Sequence, residues 1–214
     1  MQTDRAQRLL PLAGILFVVV FVVANAITGS MPDQDSSAAK IVSYWDDHQG
    51  TQTAAAFLGA FAVVLFVFFA GALRSALRPS ESEEVPYSAI AFGGAIITAG
   101  AGAVDSMLRL ATASAADNGA NATVYTLNQL NAFDWLPVVA GLSVMFIASG
   151  LGGLRTLALP KWLCWTSLVL GIAFLTPAGI VAFFAFPLWI LAASIALYGR
   201  RRTVGTIAPV ASRA

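Results

Sequence analysis

One cysteine and one histidine occur in 214 residues. With Cys164 alone no internal disulfide can form. With His48 alone, a multi-histidine metal or haem site within one chain is excluded. Charge is scarce as well. Asp, Glu, Lys and Arg make up 11% of the chain, against about 25% in an ordinary soluble domain. So few charges cannot cover a folded surface with polar groups, so lipid is the natural solvent for it. The formal net charge is only +1, and no basic stripe offers itself to a nucleic acid. Three catalytic signatures are missing: the Walker loop, the His-Glu-x-x-His zinc helix and the Gly-x-Ser-x-Gly elbow. There is no clear inverted repeat of broken midplane helices, a feature of many secondary transporters. No cofactor is implied, and Cys164 reads as a small apolar side chain in a helix.

What the chain does have is long apolar runs. Hydrophobic residues are 58% of it, and the mean hydropathy is +0.77. A membrane helix needs about 20 apolar residues, at ~1.5 Å each, to cross ~30 Å of hydrocarbon. Windows of this kind lie at about 9–28, 53–77, 87–112 and 131–155. The stretch from Lys161 to Arg200 would be ~60 Å long as one helix, twice the hydrocarbon thickness. Thr176-Pro177-Ala178-Gly179 is the expected break. That gives two short helices, about 161–176 and 178–199, with Pro187 as a kink point in the second. The expected fold is an all-α polytopic bundle of six transmembrane helices, a single domain over 1–202 with a disordered cytoplasmic tail over 203–214.

The charges orient this bundle. With both termini in the cytoplasm, the inner side holds Arg5, Arg8, Arg74, Arg78, Arg155, Lys161, Arg200, Arg201, Arg202 and Arg213. The outer side holds Lys40, with Arg109 near that boundary. This is the positive-inside pattern. Five spans would put the Arg200–Arg202 cluster outside. Trp135, Trp162 and Trp165 fall near span ends, as an aromatic belt requires. The N-terminus has a rival reading: Arg5 and Arg8, an apolar stretch and Ala24-Asn25-Ala26 outline a cleaved signal peptide over 1–26. The apolar run is nonetheless long enough to span.

Outside the bilayer, Ile41, Val42 and Trp45 form an apolar face at helical spacing. Asp35, Ser36 or Ser37 is placed to cap its start. The expectation is a short helix lying at the outer interface, in the first outer loop. His48 follows Asp46 and Asp47, and neighbours in sequence do not share a helix face. Val124, Leu127 and Leu130 suggest that the fourth helix begins outside the bilayer. The loop carrying Glu81, Glu83 and Glu84 reads as a solvated turn.

Two charges inside an apolar run need a physical reason. If the third span is centred near Gly100, Asp105 lies ~8 Å outward of the midplane and Arg109 ~14 Å. Arginine can snorkel from that depth; a short aspartate cannot. Asp105 therefore needs a partner, a proton or a water-filled cavity. Arg109, four positions on, shares its face. Asp134, ~32 Å along the fourth helix from Arg155, reaches the depth of Arg109. The expected cluster is Asp105, Arg109 and Asp134, with Asn128 and Asn131 capping it. Gly94, Thr98, Ala101 and Gly102 lie on the same stripe, a small-residue face for close helix packing.

The C-terminal third carries the most familiar pattern. Leu159-Pro160-Lys161-Trp162-Leu163, Trp165, Gly171, Leu175-Thr176-Pro177 and Leu188-Trp189 resemble a family of bacterial six-helix membrane proteins known only as a domain of unknown function. The resemblance lies mainly in residues 159–202. It implies a multi-pass protein of the bacterial plasma (inner) membrane, and it supplies no activity. The first functional expectation is a non-enzymatic accessory or scaffold subunit whose partners are the lipid bilayer and a membrane protein or a second copy. The second is a small-solute or proton-coupled transporter or channel using Asp105, Arg109 and Asp134. The third is a lipid-acting enzyme using Asp46, Asp47 and His48.

Overall fold

In the computed structural model, residues 10–33, 35–80 and 85–206 are described. Among them the secondary structure is entirely helical: α1 Leu12–Ile27, α2 Ala38–Leu77, α3 Tyr87–Asp117, α4 Asn121–Asn131, α5 Trp135–Thr156, α6 Lys161–Ala173 and α7 Gly179–Thr206. Arg5, Arg8, Glu81, Glu83 and Glu84 lie outside the described residues. Of the tail expected to be disordered, 203–206 continue α7, and 207–214 lie outside.

Four segments are long and apolar enough to cross a membrane: Ala38–Leu77, Tyr87–Asp117, Asn121–Thr156 and Gly179–Arg200. Leu12–Ile27 and Lys161–Ala173 are shorter apolar helices. At ~1.5 Å per residue, the 13 residues of α6 cover ~20 Å, less than the hydrocarbon thickness. The break between α6 and α7 falls at 174–178, where Pro177 has no N–H to donate. Pro187 sits inside α7, which runs on past it.

Helix contacts close into a ring. α1 touches α2, α2 touches α3, α3 touches α5, α5 touches α6, α6 touches α7, and α7 returns to α1. One large apolar core packs between its helices, with Phe69, Phe146, Leu142, Met145 and Ile190 fully buried. Outward, Phe57, Phe68, Val169 and Phe184 are exposed, as lipid-facing side chains are.

The expected short interfacial helix is not a separate element. Residues from Ala38 run without a break into the span, making α2 40 residues long, or ~60 Å. Ser37 caps its start by accepting from the Lys40 N–H. Nothing between Ala38 and Leu77 is a strong breaker; Gly50 alone does not end a helix. The apolar face of its first turns rests on protein, not on lipid. Ile41 and Trp45 pack with Ala113, Ala116 and Val124 in a second, smaller core. The start of α2, the end of α3 and α4 thus build a head beyond the apolar ring. The fourth span is likewise interrupted: α4 ends at Asn131 and α5 starts at Trp135.

Polar bonds tie the head down. The Trp45 indole N–H donates to Asn128 Oδ1 at 3.0 Å. Gln52 Nε2 donates to the Tyr44 hydroxyl, which donates to the Thr28 carbonyl oxygen, each at 2.7 Å. Trp45→Phe removes the indole donor and leaves Asn128 Oδ1 buried and unpaired, a cost of about 1–3 kcal/mol. Amide hydrogen exchange is expected to speed up in α4 and the start of α2, with α5 to α7 unchanged. Unaltered exchange in α4 would contradict the role given to this bond.

Two arginines, Arg74 and Arg155, lie at the opposite end. The Arg74 guanidinium lies over the Phe92 ring at 5.1 Å, and that of Arg155 over Tyr87 at 4.9 Å. Both rings belong to the first two turns of α3, the end remote from the head.

Candidate intramembrane site

The site begins with the i,i+4 geometry of α3. The Arg109 Nε–H donates to both carboxylate oxygens of Asp105, each at 2.9 Å. Side-chain exposures are 19% for Arg109 and 25% for Asp105, so the pair is only partly buried. Neither residue faces solid core. Both line a cavity of about 240 Å3 between α1, α2, α3, α5 and α7.

Asp134 enters from the turn between α4 and α5. It holds the N-cap position of α5, yet its side chain makes no capping bond. Asp at that position ordinarily accepts from a helix N–H, a contact worth about 1 kcal/mol. Asp134 instead lines the same cavity as Asp105. The cluster presents carboxyl oxygens to whatever enters the cavity.

The structure brings Asp105, Arg109, Asp134 and Asn131 together on one cavity wall. It does not bring Asn128. That side chain is buried in the head, where its oxygen accepts from Trp45. The difference arises because α4 turns Asn128 toward Trp45, while Asn131, at its last residue, reaches the cavity.

The small-residue stripe serves two neighbours. A Cβ on Gly94 would lie 2.5 Å from the Met145 nitrogen and 2.7 Å from the Gly141 carbonyl oxygen of α5. Thr98 meets Gly141 as well. A Cβ on Gly102 would meet Val63 of α2 at 3.0 Å. Ala101 is 7% exposed. These close approaches draw α2, α3 and α5 together around the acids.

Sequence reasoning did not single out the apolar wall. Phe17, Phe21, Phe66, Phe183 and Phe186 line the cavity, with Ala24 and Asn25 from α1. Asp46 and Asp47 are exposed and border an open depression beside Tyr125. His48 does not line it; its ring stacks on Tyr44 at 4.4 Å, and its Nδ1 meets the Tyr44 carbonyl oxygen at 2.8 Å. The three residues do not converge. Among the described residues no group of three or more His, Cys, Asp or Glu is arranged to hold a metal ion.

What fold and site define is a class: a helical membrane protein with a polar cluster facing an internal cavity. Compared with known proteins, the chain matches no family model, no curated protein and no solved structure.

Proposed function

We propose that the chain is a transporter for a small solute, coupled to a proton at the Asp105–Arg109–Asp134 cluster, in a bacterial plasma membrane. The observation that carries this reading is the cavity: its polar lining holds the only acidic groups within the apolar part of α3 and at the start of α5. The accessory-subunit reading gives no reason for a hollow beside three charges. Asp134 also makes no helix-cap bond and lines the cavity, which a purely structural ion pair does not need.

In this reading all six apolar helices cross the bilayer, α1 and α6 included, and both chain ends are cytoplasmic. The support is the ring closure, and Arg74 and Arg155 at the end remote from the head. The resemblance in residues 159–202 supports the bacterial inner membrane.

Cysteine accessibility in oriented proteoliposomes tests it. On a Cys164→Ser background, Val138→Cys and Val139→Cys place a thiol on the cavity wall. Alternating access predicts reaction with a membrane-impermeant maleimide from the outer face and, in separate samples, from the inner face. Reaction from one face only overturns transport, and protection from both faces overturns an accessible cavity.

A further inference from the structure

The polar and apolar linings of the cavity make opposite demands. The polar lining holds Asp105 and Asp134 against Arg109, a formal charge of −1 when both acids are ionised. Arg109 commits its Nε–H to Asp105. Asn131 Oδ1 is buried with no hydrogen-bond partner among the described residues. Asp134 has no capping bond. Asn131 and Asp134 thus contribute acceptors beside the terminal N–H groups of Arg109, and a buried acceptor calls for a donor.

The apolar lining holds five phenylalanines. Phe21, Phe183 and Phe186 form a cluster with ring centroids 5.3 to 6.1 Å apart. Phe17 and Phe66 close it at 5.2 Å. Such rings accommodate an apolar body and attract a neighbouring cation through their faces. Size bounds the guest. A cavity of ~150 Å3 takes benzene, so about 240 Å3 takes about ten non-hydrogen atoms.

We infer that the cavity binds a small organic ammonium ion, a protonated primary or secondary amine on an apolar body. Its N–H groups bond the Asp134 carboxylate and the Asn131 oxygen, and its body lies among the phenylalanines. This rests on the transport reading and names its solute. Other classes fit less of the wall. An anion would face two carboxyl groups against one guanidinium. A quaternary ammonium has the charge but no N–H for Asn131. A bare proton makes no use of the phenylalanines.

Equilibrium dialysis of radiolabelled 2-phenylethylammonium tests this on the full chain in lipid nanodiscs, with empty nanodiscs as background. Saturable binding of one molecule per chain is expected. Asp134→Asn is expected to weaken it tenfold or more, and Asn131→Leu about tenfold. Val139→Phe, which puts a ring into the cavity, should abolish it. Benzyltrimethylammonium should compete at least tenfold less well, and phenylacetate and 2-phenylethanol hardly at all. If Asp134→Asn does not fold, as read by gel filtration, Asn131→Leu and Val139→Phe carry the test.

No saturable binding overturns the inference. Equal competition by phenylacetate or 2-phenylethanol also overturns it, since the cavity would then take acyl or apolar groups without regard to charge. Equal competition by benzyltrimethylammonium removes the donor role of the amine. Thiols that react from both faces alongside any of these results leave transport standing and the ligand class wrong. Saturable amine binding with thiols reacting from one face shows the reverse failure.

Discussion

Gly141→Leu is expected to yield no folded protein, and Gly141→Ala is expected to lower stability by about 2–3 kcal/mol, the upper range for overpacking. A Cβ at this position would lie 2.7 Å from the Gly94 carbonyl oxygen and 2.7 Å from the Thr98 nitrogen. Both are main-chain atoms of a rigid helix, so no side chain can step aside. The α3–α5 interface must then widen along its length. In lipid there is no hydrophobic gain from closing the gap by another route, and close van der Waals packing is what holds such helices together. That same interface carries Asp105 toward Asp134, so the cavity is lost with it. Gly100→Ala is the control. Nothing lies within 4 Å of a Cβ there, and alanine is the better helix former by up to about 1 kcal/mol. Thermal melts and gel filtration in detergent read the difference. Equal melting temperatures for Gly141→Ala and Gly100→Ala would show that the close approach is not required.

Arg109→Met is the second large effect. It removes both 2.9 Å bonds to Asp105 and leaves two carboxyl groups with no cation in the cavity. Breaking a fully buried pair by removing one partner costs about 3–5 kcal/mol. This pair is about one-fifth exposed, at 19% and 25%, so about 2 kcal/mol is the expected loss. Asp105→Asn in the same chain removes the orphaned charge and should restore most of it. The double-mutant cycle measures the coupling, expected at about 1–2 kcal/mol. A coupling near zero would mean that the two side chains act independently, and the cluster would lose its standing as a unit.

Much of the site was legible because it obeys one-dimensional geometry. Asp105 and Arg109 meet because four residues bring a helix back to the same face. Asp134 reaches their depth because helical rise sets it there. Asn128 and Asn131 share a face on paper, yet only Asn131 lines the cavity. Trp45 claimed Asn128, and no local signal announces a contact 83 positions away. The segment from Asp35 to Trp45 shows the same limit. The spacing of Ile41 and Trp45 demands an apolar surface without saying which. Lipid was the nearer choice in sequence; Ala113, Ala116 and Val124 are the surface that folding provides.

The phenylalanines mark the boundary most sharply. Phe17 is 6% exposed and Phe57 is 65% exposed, yet both sit in apolar helical runs. In water, burial and hydropathy go together, so a pattern predicts a core. In a bilayer the solvent is as apolar as the core, and hydropathy cannot sort one phenylalanine from the other.

The sequence by itself determined that the chain is helical and lipid-compatible, that a break must fall near Pro177, and that Asp105 needs company. Those follow from counts, rise per residue and the cost of charge in hydrocarbon. Only the tertiary structure decided that the helices close into a ring around a cavity, that α2 stands up as part of a head, and which aromatic rings line the hollow. Each of these depends on which helix touches which, and that is a property of three-dimensional contact between surfaces of equal hydropathy.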